Sequence, residues 1–180
     1  MAMPDIYKWL NGEDVKDSVG YTTVMQHVKS EEEGKSLALR LLIHYYGDIH
    51  QPLHTSDRYT KEYPKGDKGG NMFVLKGHYS YNELHAVWDS VIYTYHKAPA
   101  RPFTADSWAD FGALSDDLRT KFTFAKTDIN TADFKKFRDE SYAIAITAYD
   151  GLTEGKDQVV PESYIAKFQP IAQKRAALAA

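Results

Sequence analysis

The sequence contains no cysteine. Structural disulfides and thiolate ligands are thereby excluded, so any metal must be held by His, Asp or Glu. No apolar run approaches the roughly 20 residues that a membrane-spanning helix needs; even Leu41–Tyr46 is broken by His44. An excess of positive charge is also missing, with 22 Lys and Arg against 25 Asp and Glu and a formal net charge of −3. Proteins that hold nucleic acid by phosphate neutralisation alone are usually basic. Phosphate affinity here must therefore be local, and a bound metal would supply it. The first ten residues carry neither the basic nor the apolar region of a signal peptide. None of Asn11, Asn71, Asn82 or Asn130 is followed two residues on by Ser or Thr.

What is present describes a globular chain. The 180 residues suffice for one domain with a sizeable core. The hydrophobic fraction is 43%, with 13 Tyr and 8 Phe, which excludes a disordered composition. No internal repeat or low-complexity tract interrupts it. Thr22 to Lys29 is a weak helix candidate. Ser30 followed by Glu31, Glu32 and Glu33 is a capping-type start, and a strong helix is expected from there to about Tyr46. Gly47 weakens its end and Pro52 closes the segment. Asp57 to Asn71 reads as a long loop and Met72 to Lys76 as a short strand, with Gly77 turning the chain. Tyr81 to Tyr95 reads as a second strong helix. Pro99 and Pro102 mark a linker, after which Thr104 or Asp106 caps a helix to about Phe122. Thr131 to Leu152 and Ser163 to Ala179 complete the pattern. The expected fold class is mainly α, with at most a small β-hairpin.

Two of the helices present a His and an Asp four residues apart, His44/Asp48 and His85/Asp89. Side chains at i and i+4 leave one face a turn apart, so both can reach one metal or two adjacent ones. His54 follows on a segment whose direction Pro52 sets. Imidazole and carboxylate suit zinc in hydrolytic sites. A single pair of this kind is most often a structural ion pair. Two pairs on apolar helix faces are less easily accidental, because burying a charged pair costs several kcal/mol unless something offsets it. Spacing alone leaves both readings open.

The residues in longer order resemble one family. His-Tyr-Tyr-Gly-Asp-Ile-His-Gln-Pro-Leu-His over 44–54, then Gly69-Gly70-Asn71, then Leu84-His85-Ala86-Val87-Trp88-Asp89, look like the signature blocks of the zinc-dependent type I nucleases. These include fungal single-strand nucleases, plant bifunctional nucleases and trypanosomatid 3′-nucleotidase/nucleases. The resemblance implies a helical fold shared with bacterial zinc phospholipase C and a site for three zinc ions. It assigns His54, His85 and Asp89 to one zinc. His44 and Asp48 go to a second, with Asp48 bridging to the third in the catalytic cluster. Asn71, with Gly70 beside it, is assigned to the nucleobase pocket.

The implied activity is an endonuclease acting on single-stranded DNA and RNA, leaving 5′-phosphates, with 3′-nucleotidase activity in some relatives. The setting would be secreted or vacuolar, the state monomeric and the membrane not a partner. A zinc phospholipase C of the same fold and an inactive metal-binding fragment are the alternatives. The family pattern begins with an N-terminal Trp that binds zinc, followed by further His and Asp ligands. Only 43 residues precede His44, and neither Trp9 nor His27 matches those ligands. The expectation is a single domain over 1–180, lacking the N-terminal quarter of the family pattern and a short C-terminal segment.

The remaining candidates have plainer readings. His50 is expected to be exposed or to lie behind the ligands, His78 to be structural and His96 to cap a helix end. Trp88 is expected in the core. Arg58, Lys61, Lys65 and Lys68, interleaved with Tyr59 and Tyr63, have the mixture that suits single-stranded nucleic acid. Asp57, Glu62 and Asp67 sit among them, so a solvated, mobile loop is expected there.

Overall fold

A computed structural model describes residues 2–76, 78–97, 101–129, 131–153 and 158–180. Gly77 and Pro99 lie outside the described residues. Helix dominates, and the described residues contain no sheet, in agreement with a mainly α class. No helix is long and apolar enough to cross a membrane. The chain divides into two compact units, residues 1–49 and 50–180.

The first unit contains α1 (Ala2–Leu10), α2 (Val19–Met25) and most of α3 (Glu31–His50). Ile6 and Trp9 of α1, Val24 of α2 and Ala38 of α3 are buried together, with Leu37, Leu41, Leu42 and Tyr45 packed against them. Ser18, not a residue near Thr22, starts α2: its hydroxyl accepts from Tyr21 N. Ser30 caps α3 as expected, accepting from Glu33 N at 3.2 Å. The Glu33 carboxylate returns to Lys29 N at 2.8 Å. This helix runs through Gly47 to His50, four residues beyond the expected end. It stops where Gln51, forced out of helical backbone by the following Pro52, adopts ψ 116°.

The second unit is built on α4 (Leu84–Asp89), α5 (Ala105–Lys121), α6 (Lys126–Ile129), α7 (Phe134–Ala145) and α8 (Glu162–Ala179). Its core joins Leu53, Phe73, Leu84, Val87, Trp88 and Ile92 to Ala145, Tyr149, Tyr164 and Phe168. Trp88 is buried, as expected, and its indole N–H donates to Tyr164 Oη at 2.9 Å. Thr104 caps α5 through a reciprocal bond with Ser107, and Phe122 ends the helix.

Three further expectations change. Met72–Lys76 forms no strand; a single antiparallel bridge pairs Val74 with Glu83. That pairing holds Glu83 extended, at φ −146° and ψ 150°, so α4 begins only at Leu84. Its end comes early as well. Ser90 Oγ donates to Val87 O and accepts from Tyr93 N, and Val91, Ile92 and Tyr93 then take φ of 54°, 49° and 67°. Left-handed backbone costs roughly 1–2 kcal/mol per residue. Burying Ile92 completely offsets much of this, at about 1.5–3 kcal/mol. The expected helix over Thr131–Leu152 is α7, shorter at both ends. Beyond Ala145 the chain continues in turns bonded three residues back, as in Ala148 N to Ala145 O at 3.1 Å, which carry Tyr149 into the core.

Candidate metal centre

His54 stands on a 3-10 turn, Pro52–Thr55, while His85 and Asp89 stand on α4. Each is preceded in sequence by a core residue: Leu53, Leu84 and Trp88. The core therefore sets where each candidate ligand begins. His54 Nε2 lies 3.1 Å from Asp89 Oδ1, and His85 Nε2 lies 3.6 Å from Asp89 Oδ2. The two imidazoles stack with centroids 4.8 Å apart. One donor atom from each of the three residues lies within 4.8 Å of the others. Among the described residues this is the one group of three such donors that closes. Tetrahedral zinc with bonds of about 2.0–2.2 Å separates neighbouring ligand atoms by roughly 3.3–3.6 Å. The donor types suit that ion, and the His54–Asp89 and His85–Asp89 separations of 3.1 and 3.6 Å are of that order, within a set whose atoms span up to 4.8 Å.

The surrounding hydrogen bonds prepare the donors. His85 Nδ1 lies 2.8 Å from Gly69 O. A carbonyl only accepts, so Nδ1 carries a proton, and the nitrogen left to face a metal is Nε2. Gln51 Nε2 donates to Asp89 Oδ1 at 2.9 Å while Gln51 Oε1 accepts from Leu53 N. One amide thus aims the carboxylate and caps the turn that carries His54. Burial pushes the Asp89 pKa up. The hydrogen bonds from His54 and Gln51 and the charge of both imidazoles outweigh it, so the group falls below the usual carboxylate range. Asp89 is consequently an anion at neutral pH, the form that binds metal.

Gly69 and Gly70 have φ of 62° and 85°, and both are wedged in place. A Cβ on Gly69 would strike Leu53 O; one on Gly70 would lie 3.1 Å from Leu53 Cδ1 and 3.3 Å from His85 N. Only glycine fits there without displacing the backbone next to a candidate ligand. Asn71 closes the same turn, its amide donating to Lys68 O at 2.7 Å.

The other sequence candidates are placed differently. His44 and Asp48 form a pair on α3 with Nε2 and Oδ2 3.3 Å apart, the imidazole side chain being 68% exposed. His50 is buried, not exposed, with its ring 4.7 Å from Phe137 and its carbonyl accepting from Arg175 Nε at 3.4 Å. His78 belongs to an aromatic cluster, 5.6 Å from the Tyr93 ring, as expected of a structural residue. His96 caps no helix: α4 ends at Asp89, and its ring stacks on Tyr79 at 4.0 Å. The loop over Asp57–Asn71 has no regular structure but is pinned, because Asp67 within it is fully buried. Two contributors escaped the sequence reading. Gln51 carried a signal, an amide three residues before His54 and next to Pro52. Asp67 carried none beyond its charge.

The chain is similar to curated nucleases over different spans. Endonuclease 2 of Arabidopsis thaliana is 28% identical over 97% of this chain and 64% of its own length. Nuclease S1 of Aspergillus oryzae is 29% identical over 82% of this chain and 55% of its own. Endonuclease 5 of Arabidopsis thaliana is 44% identical over 55 residues, 31% of this chain and 16% of its own. The chain thus spans less than two thirds of the length of these relatives. The model of the S1/P1 Nuclease family matches residues 14–180, and the chain belongs to that family.

Proposed function

We propose that this chain acts as a zinc-dependent endonuclease, hydrolysing phosphodiester bonds of single-stranded DNA and RNA to leave 5′-phosphates. The observation that carries the reading is the closed His54–His85–Asp89 group in a member of a nuclease family. These three residues would hold one zinc ion. His44 and Asp48 would serve a second, with Asp48 as the bridging carboxylate and catalytic residue. Bound zinc supplies Lewis-acid polarisation of the phosphoryl group and a water acidified toward neutral pH.

The chain's own residues supply orientation. Gly69 O keeps the His85 proton on Nδ1, and Gln51 keeps the Asp89 carboxylate turned toward both imidazoles. Gly70, whose backbone packs against Leu53 and His85 N, and Asn71 would line the nucleobase pocket, where the Asn71 Oδ1 would accept from a base amino group. With a formal charge of −3, the protein would attract phosphate through the metal rather than through a basic surface. The same chemistry would remove a 3′-phosphate from a nucleotide. The protein would work as a monomer with no membrane partner.

The test is turnover of single-stranded DNA by the 180-residue chain with added zinc, read as acid-soluble 5′-phosphorylated nucleotides. Activity that a chelator abolishes and that His54→Ala lacks is expected. A chain that neither retains zinc nor releases nucleotides overturns the reading. Release of phosphocholine from phosphatidylcholine instead of nucleotides would assign the zinc phospholipase chemistry.

A further inference from the structure

Asp67 has no exposed surface, and the chemistry proposed above does not use it. A buried carboxylate is costly unless its oxygens are hydrogen-bonded. Here Oδ1 accepts from Arg58 N at 3.0 Å and Oδ2 accepts from the Tyr149 hydroxyl. The backbone of Asp67 is tied as well: its N–H donates to Arg58 O and its carbonyl accepts from Met72 N, each at 3.0 Å. Asp67 therefore closes the turn that runs from 67 to 72. From the other side Asp57 Oδ1 accepts from Lys68 N at 2.8 Å.

That turn touches one candidate imidazole ligand, His85, and the residue that precedes the other. Its Gly69 carbonyl receives the His85 Nδ1 proton at 2.8 Å, and its Gly70 carbonyl receives His85 N at 3.4 Å. The Cα of Gly69 sits against Leu53 O, one residue before His54. Tyr149 holds the turn from a distance of 82 residues in sequence. Its own ring is fixed edge-on to Phe73 at 5.5 Å and under the Arg58 guanidinium at 4.4 Å. Burial, together with the Asp67 hydrogen bond and charge, pushes the Tyr149 pKa well above the usual phenol range, so the hydroxyl remains a donor.

We infer that Asp67 and Tyr149 are positioning residues of the metal centre: their buried hydrogen bond fixes the turn whose Gly69 carbonyl sets the tautomer and direction of His85. The inference rests on the metal reading of His54, His85 and Asp89. Neither residue belongs to the candidate ligand group. They act through one carbonyl, and outer hydrogen-bond partners of this kind typically change metal affinity about 10–100-fold.

The experiment uses the 180-residue chain and Tyr149→Phe, which deletes one O–H and leaves the ring under Arg58. Zinc affinity is measured by competition with a chromophoric chelator, and the His85 Nδ1–H resonance is followed by 15N NMR without metal. Tyr149→Phe is expected to weaken zinc about tenfold or more and to lose or broaden that resonance, while remaining folded at the assay temperature. Asp67→Asn, nearly isosteric, is expected to do the same and answers the question if Tyr149→Phe does not fold. A variant with a lower Tm but unchanged zinc affinity and an unchanged Nδ1–H resonance overturns the inference. Wild-type protein that binds no zinc refutes the metal reading instead. In that case the metal-free resonance still decides whether the pair positions His85.

Discussion

His44/Asp48 on α3 and His85/Asp89 on α4 share one spacing and nearly one geometry, with closest imidazole–carboxylate distances of 3.3 and 3.6 Å. Their surroundings differ. The His44 side chain is 68% exposed, against 18% for His85. His85 has its second nitrogen committed to Gly69 O, and Asp89 is aimed by Gln51 and joined by His54. An i, i+4 pair on a helix thus offers two candidate donors at most. At α4 a third comes from another segment, with outer hydrogen bonds that choose tautomers and directions.

The contrast can be broken most directly at Asp89, whose carboxylate meets both imidazoles. Asp89→Ala is expected to lower zinc affinity by more than roughly 100-fold, beyond what loss of an outer partner causes, by equilibrium dialysis. His44→Ala should leave the first equivalent of zinc bound. If His44→Ala removes that equivalent as Asp89→Ala does, the two pairs are not different in kind. Gln51→Ala comes next, with an expected loss of about 10–100-fold in zinc affinity, because the carboxylate loses its orienting amide and the turn carrying His54 loses its cap.

Smaller effects sharpen the comparison from the side of α3. Ser30→Ala removes the cap of that helix and should cost about 1 kcal/mol of stability, measured by urea unfolding. Zinc affinity at His54, His85 and Asp89 should not move. The smallest expected effect is on stability in His44→Ala, under about 0.5 kcal/mol, since an exposed i, i+4 pair is screened by water. A loss of several kcal/mol there would mean that the α3 pair is held as firmly as the α4 pair.

Sequence reading succeeded where the controlling interactions are local. The cap of α3 at Ser30 and the start of α5 at Thr104 are set by bonds spanning four residues or fewer. Length failed at α4 and α7, whose hydrophobic patterns continue past their ends. Val91–Tyr93 leave the helix for a left-handed turn that buries Ile92, and Ile146–Leu152 leave it for turns that bury Ala148 and Tyr149. The loop before Gly69 was misjudged for the same reason. Its charges resemble those of a solvated segment, yet Asp67 is drawn inside by a tyrosine 82 residues away.

By itself, the sequence determined the kind of ligands available, the two helical His/Asp pairs, the starts of α3, α5 and α8 and the family. These follow from residue identity and from interactions within a turn or two of the chain. Tertiary structure decided which pair meets a third donor, which carbonyl receives the His85 proton and which acidic residue is buried. Those bonds join residues 35, 16 and 82 positions apart. Partners so far apart in sequence meet only through packing of the core beneath them, and no local spacing encodes that.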